Sequence, residues 1–271
     1  MTIEGAVADH YGSPELEKRI LDAIRDSGYD PEDLDPDTLH PVDQFHLGGS
    51  QATRDLAVAA GITRGRSVLD IGSGIGGPAR LFAHHYGATV VGIDLTPEFV
   101  QAATSLTART GLAESVAFVE GSALALPFAD DEFDIATVLH VGMNIADKGA
   151  LAAQVARVLR PGGILAVYDI MEVGEGEPAY PLPWAASVDI SFPAAPDAYR
   201  DALEAAGFSV ELTRKLRQEG TDVASMRPGG APPPLGLHLV LGPDGPVRMK
   251  NLRDAMVTGI LAPVQMIARL E

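Results

Sequence analysis

The first candidate for chemistry is a glycine-rich segment that follows a short apolar run. Val68–Ile71 leads into Gly72, Gly74 and Gly77, and Pro78 then suits the first turn of a helix. Glycines let the backbone turn sharply and approach a ligand, and free amides at a helix N-terminus attract a carboxylate or a phosphate. The segment therefore predicts an anion-binding turn between a strand and a helix.

An acidic residue completes a nucleotide-type pattern. Asp94 ends the apolar run Val90–Ile93 and lies 20 positions after Gly74. A carboxylate at the tip of a second strand can accept hydrogen bonds from both hydroxyls of a ribose. The same glycines also satisfy the dinucleotide fingerprint, so they do not by themselves separate S-adenosylmethionine (SAM) from NAD.

Three further features favour SAM. Asp70 precedes the first glycine by two residues, where it can reach the ammonium of a methionine moiety, and a dinucleotide has no such cation. Gly121–Ala123 ends a third apolar run. Val158–Gly163 closes a predicted helix with a tight turn into a fifth strand.

The elements that must position these residues alternate between β-branched runs and alanine-rich helical periods. This pattern predicts an α/β fold, a doubly wound, seven-stranded, mostly parallel Rossmann-like sheet. Helices are predicted near Pro78–Tyr86, Pro97–Thr110 and Asp147–Leu159. The predicted strands are Ser67–Ile71, Thr89–Ile93, Val116–Val119, Phe133–Leu139, Gly163–Ile170, Phe208–Leu212 and Val264–Leu270.

The chain divides into a cap and a core. We predict an N-terminal helical cap over residues 1–60 and a cofactor-binding core over 61–271. The proline-rich segment 172–196, which holds the single tryptophan, predicts an ordered lid over the site. A helical insertion is expected at about 224–262, before the last strand.

These motifs resemble those of class I SAM-dependent methyltransferases. The likeness covers nearly the whole chain, because three other segments resemble the branch that includes sarcosine and dimethylglycine N-methyltransferases: Val42–Gly49, His140–Ile145 and Tyr180–Trp184. Ubiquinone- and tocopherol-type methyltransferases share the core motifs more loosely.

The resemblance implies SAM as the cofactor. It implies that Asp70 and the amides of the glycine turn hold the methionine part, that Asp94 binds the ribose and that Leu95 packs on the adenine. Ser122 stands where many relatives have an aspartate that receives the adenine amino group. The implied cofactor-binding residues are Tyr11, His46, Asp70, Gly72, Ser73, Gly74, Asp94, Leu95, Ser122, Ala123 and His140.

The acceptor side of the site is also implied by the resemblance. His140 would lie beside the sulfonium and the acceptor, as a catalytic base for an amine or as a hydrogen-bonded structural histidine. Tyr11, Asn144 and Trp184 would form the substrate pocket, with Trp184 stacking on the acceptor or only anchoring the lid.

Composition narrows the partners. The chain has 37 acidic and 20 basic residues, a net charge of −17 that repels phosphate backbones, so we expect no nucleic-acid partner. It lacks cysteine and any apolar run near the roughly 20 residues of a membrane span. We expect a cytoplasmic monomer or homodimer acting on a small-molecule acceptor, with no metal, because His84 and His85 diverge on a helix.

Two other functions remain open at this stage. One is an NAD-dependent oxidoreductase on the same type of sheet. The other is a SAM-binding protein or cyclase that does not methylate, and the serine at position 122 favours it slightly.

Overall fold

The computed structural model describes residues 2–13, 15–216 and 233–271, and within them it contains a seven-stranded sheet. The strand order is β3-β2-β1-β4-β5-β7-β6. Strands β1 to β5 are parallel, and β7 runs antiparallel between β5 and β6. The strands are β1 Ser67–Ile71, β2 Thr89–Asp94, β3 Val116–Glu120, β4 Phe133–Leu139, β5 Leu159–Glu172, β6 Phe208–Lys215 and β7 Leu261–Leu270. The predicted doubly wound fold is confirmed.

The helices fall into three groups: those before β1, those that connect successive strands, and those between β6 and β7. Those that precede β1 are α1 Ile3–Tyr11, α2 Leu16–Asp26, α3 His40–Asp43 and α4 Gly49–Ala60. The crossover helices are α5 Gly77–Tyr86, α6 Pro97–Arg109, α7 Lys148–Val158 and α8 Pro196–Ala205. Between β6 and β7 lie α9 His238–Leu241 and α10 Gly245–Val257. Among the described residues, no helix is long and apolar enough to cross a membrane.

Two layers of helices cover the sheet because successive side chains of a strand point to opposite faces. Leu69 packs with Val155 of α7 and Leu203 of α8 on one face. Val68, its neighbour, packs with Leu56 of α4 and Phe82 of α5 on the other. Near-continuous apolar runs such as β1 are therefore expected for strands that are buried on both sides.

The chain reverses its direction of growth across the sheet between β3 and β4. β1 pairs with β2 on one side and with β4 on the other, so the carboxyl ends of β1 and β4 flank the switch point of the sheet. In open parallel sheets, ligands bind in the crevice at this place. The glycine turn, Asp94 and His140 all follow strands that end here.

Several segments differ from the boundaries predicted from the sequence. β5 begins at Leu159 rather than at residue 163, since Leu159 pairs with Phe133 and the register shifts before Ile135 and Ile164 meet. The predicted insertion at 224–262 lies partly outside the described residues, and its described part contains α9 and α10. The predicted lid begins on the last residue of β5, and its described backbone contains a single 3₁₀ turn, Val188–Ile190.

Candidate active site at the carboxyl edge of the sheet

A cavity of about 340 Å³ lies at the switch point, between the carboxyl ends of the strands and helix α1. Its size is in the range of small-molecule and cofactor sites. The lining residues that the sequence predicted are Tyr11, His46, Asp70, Gly72, Ser73, Gly74, Asp94, Leu95, Ala123, His140 and Asn144. The structure thus brings together residues from the cap and from the ends of β1, β2, β3 and β4.

The glycine turn follows β1 and leads into α5. Gly72 has φ +68°, and a Cβ there would lie 2.2 Å from Val141 Cγ2, so only glycine fits where the turn crosses the segment after β4. The Gly72 and Ser73 amides donate to the Ile93 carbonyl at 2.7 and 3.0 Å. The Gly74 amide donates to Asp94 Oδ2 at 2.8 Å. The amides of Gly72, Ser73 and Gly74 are therefore not free in this structure, because the neighbouring strand already uses them.

Asp70 is the most deeply buried acid of the cavity, at 1% exposure. Its Oδ1 accepts a hydrogen bond of 2.7 Å from the Thr137 hydroxyl of β4. Its Oδ2 is buried and has no partner among the described residues. Burial raises the pKa of this carboxyl from 3.8 to about 7. A cation in the cavity would complete its hydrogen bonding and favour its ionised form.

Asp94 ends β2 and is held in place by two backbone amides. Its Oδ1 accepts from Thr96 at 2.9 Å, and its Oδ2 accepts from Gly74 at 2.8 Å. Burial raises its pKa despite these bonds. Each carboxylate oxygen can accept more than one hydrogen bond, so both stay available to hydroxyl groups of a ligand.

His140 lies at the end of β4 in a left-handed backbone conformation, with φ +54°. Its amide donates to the Tyr168 carbonyl at 2.7 Å, which ties it to β5. The Nε2 atom is buried and lacks a hydrogen-bond partner in the described chain. Burial and the neighbouring His46 hold the pKa of His140 well below 6.5, so the ring is neutral.

His46 faces His140 from the cap, with 5.9 Å between the ring centroids. Its Nε2 lies 3.1 Å from the Gly49 carbonyl and 2.9 Å from the Thr53 hydroxyl. Burial lowers the pKa of His46 to about 4. Both histidines are therefore uncharged at neutral pH and add no positive charge to the cavity.

Tyr11, Asn144 and Trp184 form one hydrogen-bonded chain between α1 and the lid. The Tyr11 hydroxyl donates to Asn144 Oδ1 at 3.0 Å, and Asn144 Nδ2 donates to the Trp184 carbonyl at 2.8 Å. Trp184 is only 1% exposed, and its indole donates to Ser191 at 3.0 Å. It lies outside the cavity lining, as the alternative of a lid anchor predicts. It anchors the lid and orients Asn144.

Ser122 also lies outside the lining, although its neighbour Ala123 is part of it. The Ser122 hydroxyl donates to the carboxylate of Glu4 and accepts from the Leu124 amide at 3.0 Å. The hydroxyl of Ser122 is therefore already engaged in the protein both as a donor and as an acceptor, and its contact with a cofactor stays a prediction.

Sequence reasoning missed much of the cavity wall. The apolar contributors are mostly single residues of helices and loops that were not predicted as site residues: Ile3, Val7, Phe45, Phe99, Ile145 and Val240. Glu4, Asp43 and Asp147 are missed acids. Only the amphipathic spacing of Ile3, Val7 and Tyr11 on α1 could have indicated a buried face.

The charged groups of the cavity share one sign. Within the described chain, the lining contains the acids Glu4, Asp43, Asp70, Asp94 and Asp147 and neither Lys nor Arg. Of these, Asp43 is paired with buried Arg80 at 2.9 Å. The remaining carboxylates give the cavity a negative potential that favours a cationic ligand.

Another group of potential metal ligands lies on the surface. Asp37 of the cap meets His84 and His85 of α5, with their ligand atoms within 4.8 Å of one another. Arg54 already lies there, with its Nη2 3.0 Å from His85 Nε2 and 3.6 Å from Asp37 Oδ2. The cluster joins the cap to the core through the contact between Asp37 Oδ1 and His85 Nε2 at 2.8 Å, while the Arg54–Asp37 ion pair lies within the cap.

Comparison with protein families gives one domain assignment. A family model described as "Methyltransferase domain" matches residues 69–167. The matched segment contains the glycine turn, Asp94, Ser122 and His140.

Curated relatives match parts of the chain. Methyltransferase GfsG of Streptomyces halstedii is 33% identical over 169 residues, 62% of this chain and 59% of that protein. A sterol 24-C-methyltransferase of Aspergillus fumigatus is 35% identical over 114 residues, 42% and 30% of the two chains. Erythromycin 3''-O-methyltransferase of Saccharopolyspora erythraea is 36% identical over 129 residues, 47% and 42%. The chain spans less than two thirds of each relative.

Solved structures show the same fold at low sequence identity. Geranyl diphosphate C-methyltransferase of Streptomyces coelicolor A3(2) matches with a TM-score of 0.71 and 15% identity, covering 100% of this chain and 99% of that one. The [4+2]-cyclase SpnF matches at 0.64 and 22%, covering 81% and 80%. A putative sarcosine dimethylglycine methyltransferase from Galdieria sulphuraria matches at 0.64 and 19%, covering 81% and 85%.

The buried carboxyl of Asp70 makes stability depend on pH. Because its folded pKa of about 7 exceeds 3.8, the folded state holds more protons in this window, and stability falls as pH rises through it. Replacing Asp70 by Asn removes this loss. The variant should be more stable than the natural chain by a margin that grows with pH to on the order of 4 kcal/mol above pH 7.

Urea unfolding at pH 5.5, 7 and 8 measures this margin. Asp26→Asn is the matched control, since Asp26 is exposed at the end of α2. A margin for the Asp70 variant that stays constant with pH would contradict the raised pKa.

Proposed function

We propose that this chain, in which a methyltransferase domain model matches residues 69–167, is a class I SAM-dependent methyltransferase that methylates a small-molecule amine. The observation that carries the proposal is the cavity at the switch point, with its unpartnered Asp70 oxygen and its excess of carboxylates. The narrower kinship with sarcosine and dimethylglycine N-methyltransferases is part of the proposal.

The cavity fits SAM at several points. Asp70 Oδ2 would receive the ammonium of the methionine part, and the unpartnered hydroxyl of Ser73 would meet its carboxylate. Asp94 would accept the ribose hydroxyls, with the adenine between Leu95 and Ala123. SAM carries a net positive charge, which the negative cavity complements. When bound, it supplies an electrophilic methyl group.

The fit to a dinucleotide is poorer. A pyrophosphate needs free amides at the glycine turn, but those of Gly72 and Ser73 donate to the Ile93 carbonyl and that of Gly74 donates to Asp94. No basic side chain of the described lining could replace them. These contacts favour SAM over NAD.

The chemistry left to the protein is mainly alignment. Methyl transfer is an in-line displacement, and positioning can supply roughly 7–11 kcal/mol of the barrier. The fixed glycine turn and Asp94 hold one reactant, while α1, Tyr11 and Asn144 close the opposite side and exclude water.

An amine acceptor suits the remaining wall. The acceptor end is apolar, with Val7, Phe45, Phe99 and Val240 among its residues, and the nearby charges are negative. A carboxylate or phosphate on the acceptor would meet these acids without a cation to pair with. Nearby negative charges favour the protonated amine, which has no lone pair, so a base must take its proton for methyl transfer to occur.

His140 is the candidate to take that proton. Its neutral ring has a buried Nε2 without a partner, so this atom can accept a proton from the amine and pass it to solvent later. The left-handed backbone at His140 aims the side chain from the end of β4 into the cavity.

A protein that binds SAM without transferring its methyl group is the alternative. It has one specific support, the structural likeness to the [4+2]-cyclase SpnF. Transfer of labelled methyl groups from SAM to any acceptor separates the two functions.

Cofactor binding is tested at Asp94. We expect micromolar affinity for S-adenosylhomocysteine by calorimetry, and at least a tenfold weaker affinity in Asp94→Ala, because the ribose loses its acceptor. Asp94→Asn keeps one acceptor oxygen and should fall between. Asp26→Ala is the control at an exposed acid. Equal binding by Asp94→Ala would remove the ribose assignment.

Acceptor class is tested with matched compounds. Methyl transfer to an arylalkylamine should exceed transfer to the arylalkanoate and the arylalkyl phosphate of the same length by at least tenfold, because only the amine avoids like charges. Release of S-adenosylhomocysteine is the measurement. A preference for the carboxylate, the phosphate or a phenol would refute an amine acceptor.

The role of His140 is tested with Asn, which tolerates the left-handed backbone. As a base, His140 should contribute about 10²-fold to kcat, so His140→Asn should lose that much while its affinity for S-adenosylhomocysteine changes little. Since the His140 pKa is well below 6.5, kcat of the natural chain should show no histidine limb between pH 6.5 and 8. His84→Asn is the exposed control. A loss below tenfold would indicate a structural histidine.

A further inference from the structure

The part of the cavity wall at the end of β3 contains no acidic side chain from β3 itself. Gly121, Ala123 and Leu124 line it and offer no side-chain acceptor. Glu120, the last residue of β3, is exposed and lies outside the lining. Any hydrogen-bond donor of a ligand in this region must therefore find its acceptor on another element.

Glu4 of α1 is the acid that reaches this region. It lies 118 residues before Ser122, yet its Oε1 accepts the hydrogen bond that the Ser122 hydroxyl donates. The Leu124 amide donates in turn to Ser122 Oγ at 3.0 Å, which fixes the direction of the serine hydrogen towards Glu4. Ser122 thus holds a carboxylate at the cavity wall, and Glu4 Oε2 has no hydrogen bond within the described residues.

Helix α1 is fixed at both ends over the cavity. Thr2 caps it by accepting from the Gly5 amide at 3.1 Å, and Tyr11 in its last turn donates to Asn144 at 3.0 Å. Glu4 lies in the first turn, where a negative charge is favoured by the helix dipole. The carboxylate is therefore held by its own helix as well as by Ser122.

The order of the strand ends places a ligand's parts along the cavity. In the proposed binding mode the methionine part lies at β1 and β4, and the ribose at Asp94 of β2. The base must then lie beyond β2, at the end of β3. The strongest donor on an adenine is its exocyclic amino group, and the acceptor available there is Glu4.

We propose that Glu4, held by Ser122, accepts a hydrogen bond from the exocyclic amino group of the cofactor's adenine, so that helix α1 forms part of the cofactor site. The inference rests on the proposed function. It makes the site selective for a 6-aminopurine over a 6-oxopurine, whose oxygen would face the carboxylate without a hydrogen between them. A half-buried charged acceptor left opposite an oxygen loses affinity for that ligand.

The test compares S-adenosylhomocysteine with S-inosylhomocysteine, in which an oxygen replaces the 6-amino group and N1 carries a hydrogen. Calorimetry of the full chain should give at least a tenfold preference for the adenosyl compound. Glu4→Gln should bind the adenosyl compound at least fivefold more weakly and reduce the preference to threefold or less, because the amide can donate to the 6-oxo group. The control variant is Glu120→Gln, at an exposed acid that ends β3, and it should keep the natural preference.

The outcomes separate this inference from the proposed function. If the natural chain binds neither compound, the proposed function fails. If it binds both equally, or if Glu4→Gln keeps the full preference, adenine recognition by Glu4 is overturned while SAM binding stands. The comparison in the natural chain needs no variant, so equal binding of the two compounds overturns the inference even if a substitution disturbs α1.

Discussion

A carboxylate buried before it is fully paired is the constraint on which this site depends. Asp70 is held at the end of β1 with one oxygen bonded to Thr137 and the other free. Removing a charge from water is costly unless a partner replaces the solvent. Burial therefore raises the pKa of Asp70 to about 7 in the free protein, and a bound cation favours its ionised form. Ligand charge and local protonation are thus linked at a single side chain.

The groups around Asp70 increase this selectivity. His46 and His140 are buried and neutral, and the described cavity wall offers no lysine or arginine. Asp94 adds a second negative charge on the neighbouring strand. A site lined by acids and without basic side chains stabilises a positively charged ligand. It disfavours an anionic ligand, because the like charges repel and the ligand finds no cation to pair with. Apolar walls then decide the shape of what binds beside it.

The fold could be predicted from the sequence because its signals are local. Apolar runs, glycine turns and proline-started helices placed all seven strands within a few residues, and the site residues that end β1, β2 and β4 follow from that placement. The amides of the glycine turn could not be judged in this way. Their use by the Ile93 carbonyl and Asp94 depends on how two adjacent strands pack, which residue types do not encode.

The parts of the site that come from helices and from the lid could be predicted less well from the sequence, because they too depend on how distant elements pack. Trp184 has an aromatic side chain of the kind that stacks on ligands. In the structure it is buried among apolar side chains and bonded to Ser191, and its carbonyl accepts a hydrogen bond from Asn144, so it anchors that residue. Glu4 belongs to no motif, and its contact with Ser122 joins residues 118 positions apart. At the end of β3, the acid that lines the cavity comes from helix α1 and not from the strand itself. The chemistry of such a site therefore depends on all the elements that form the cavity, whereas a sequence motif indicates only the residues of the strand and turn in which it lies.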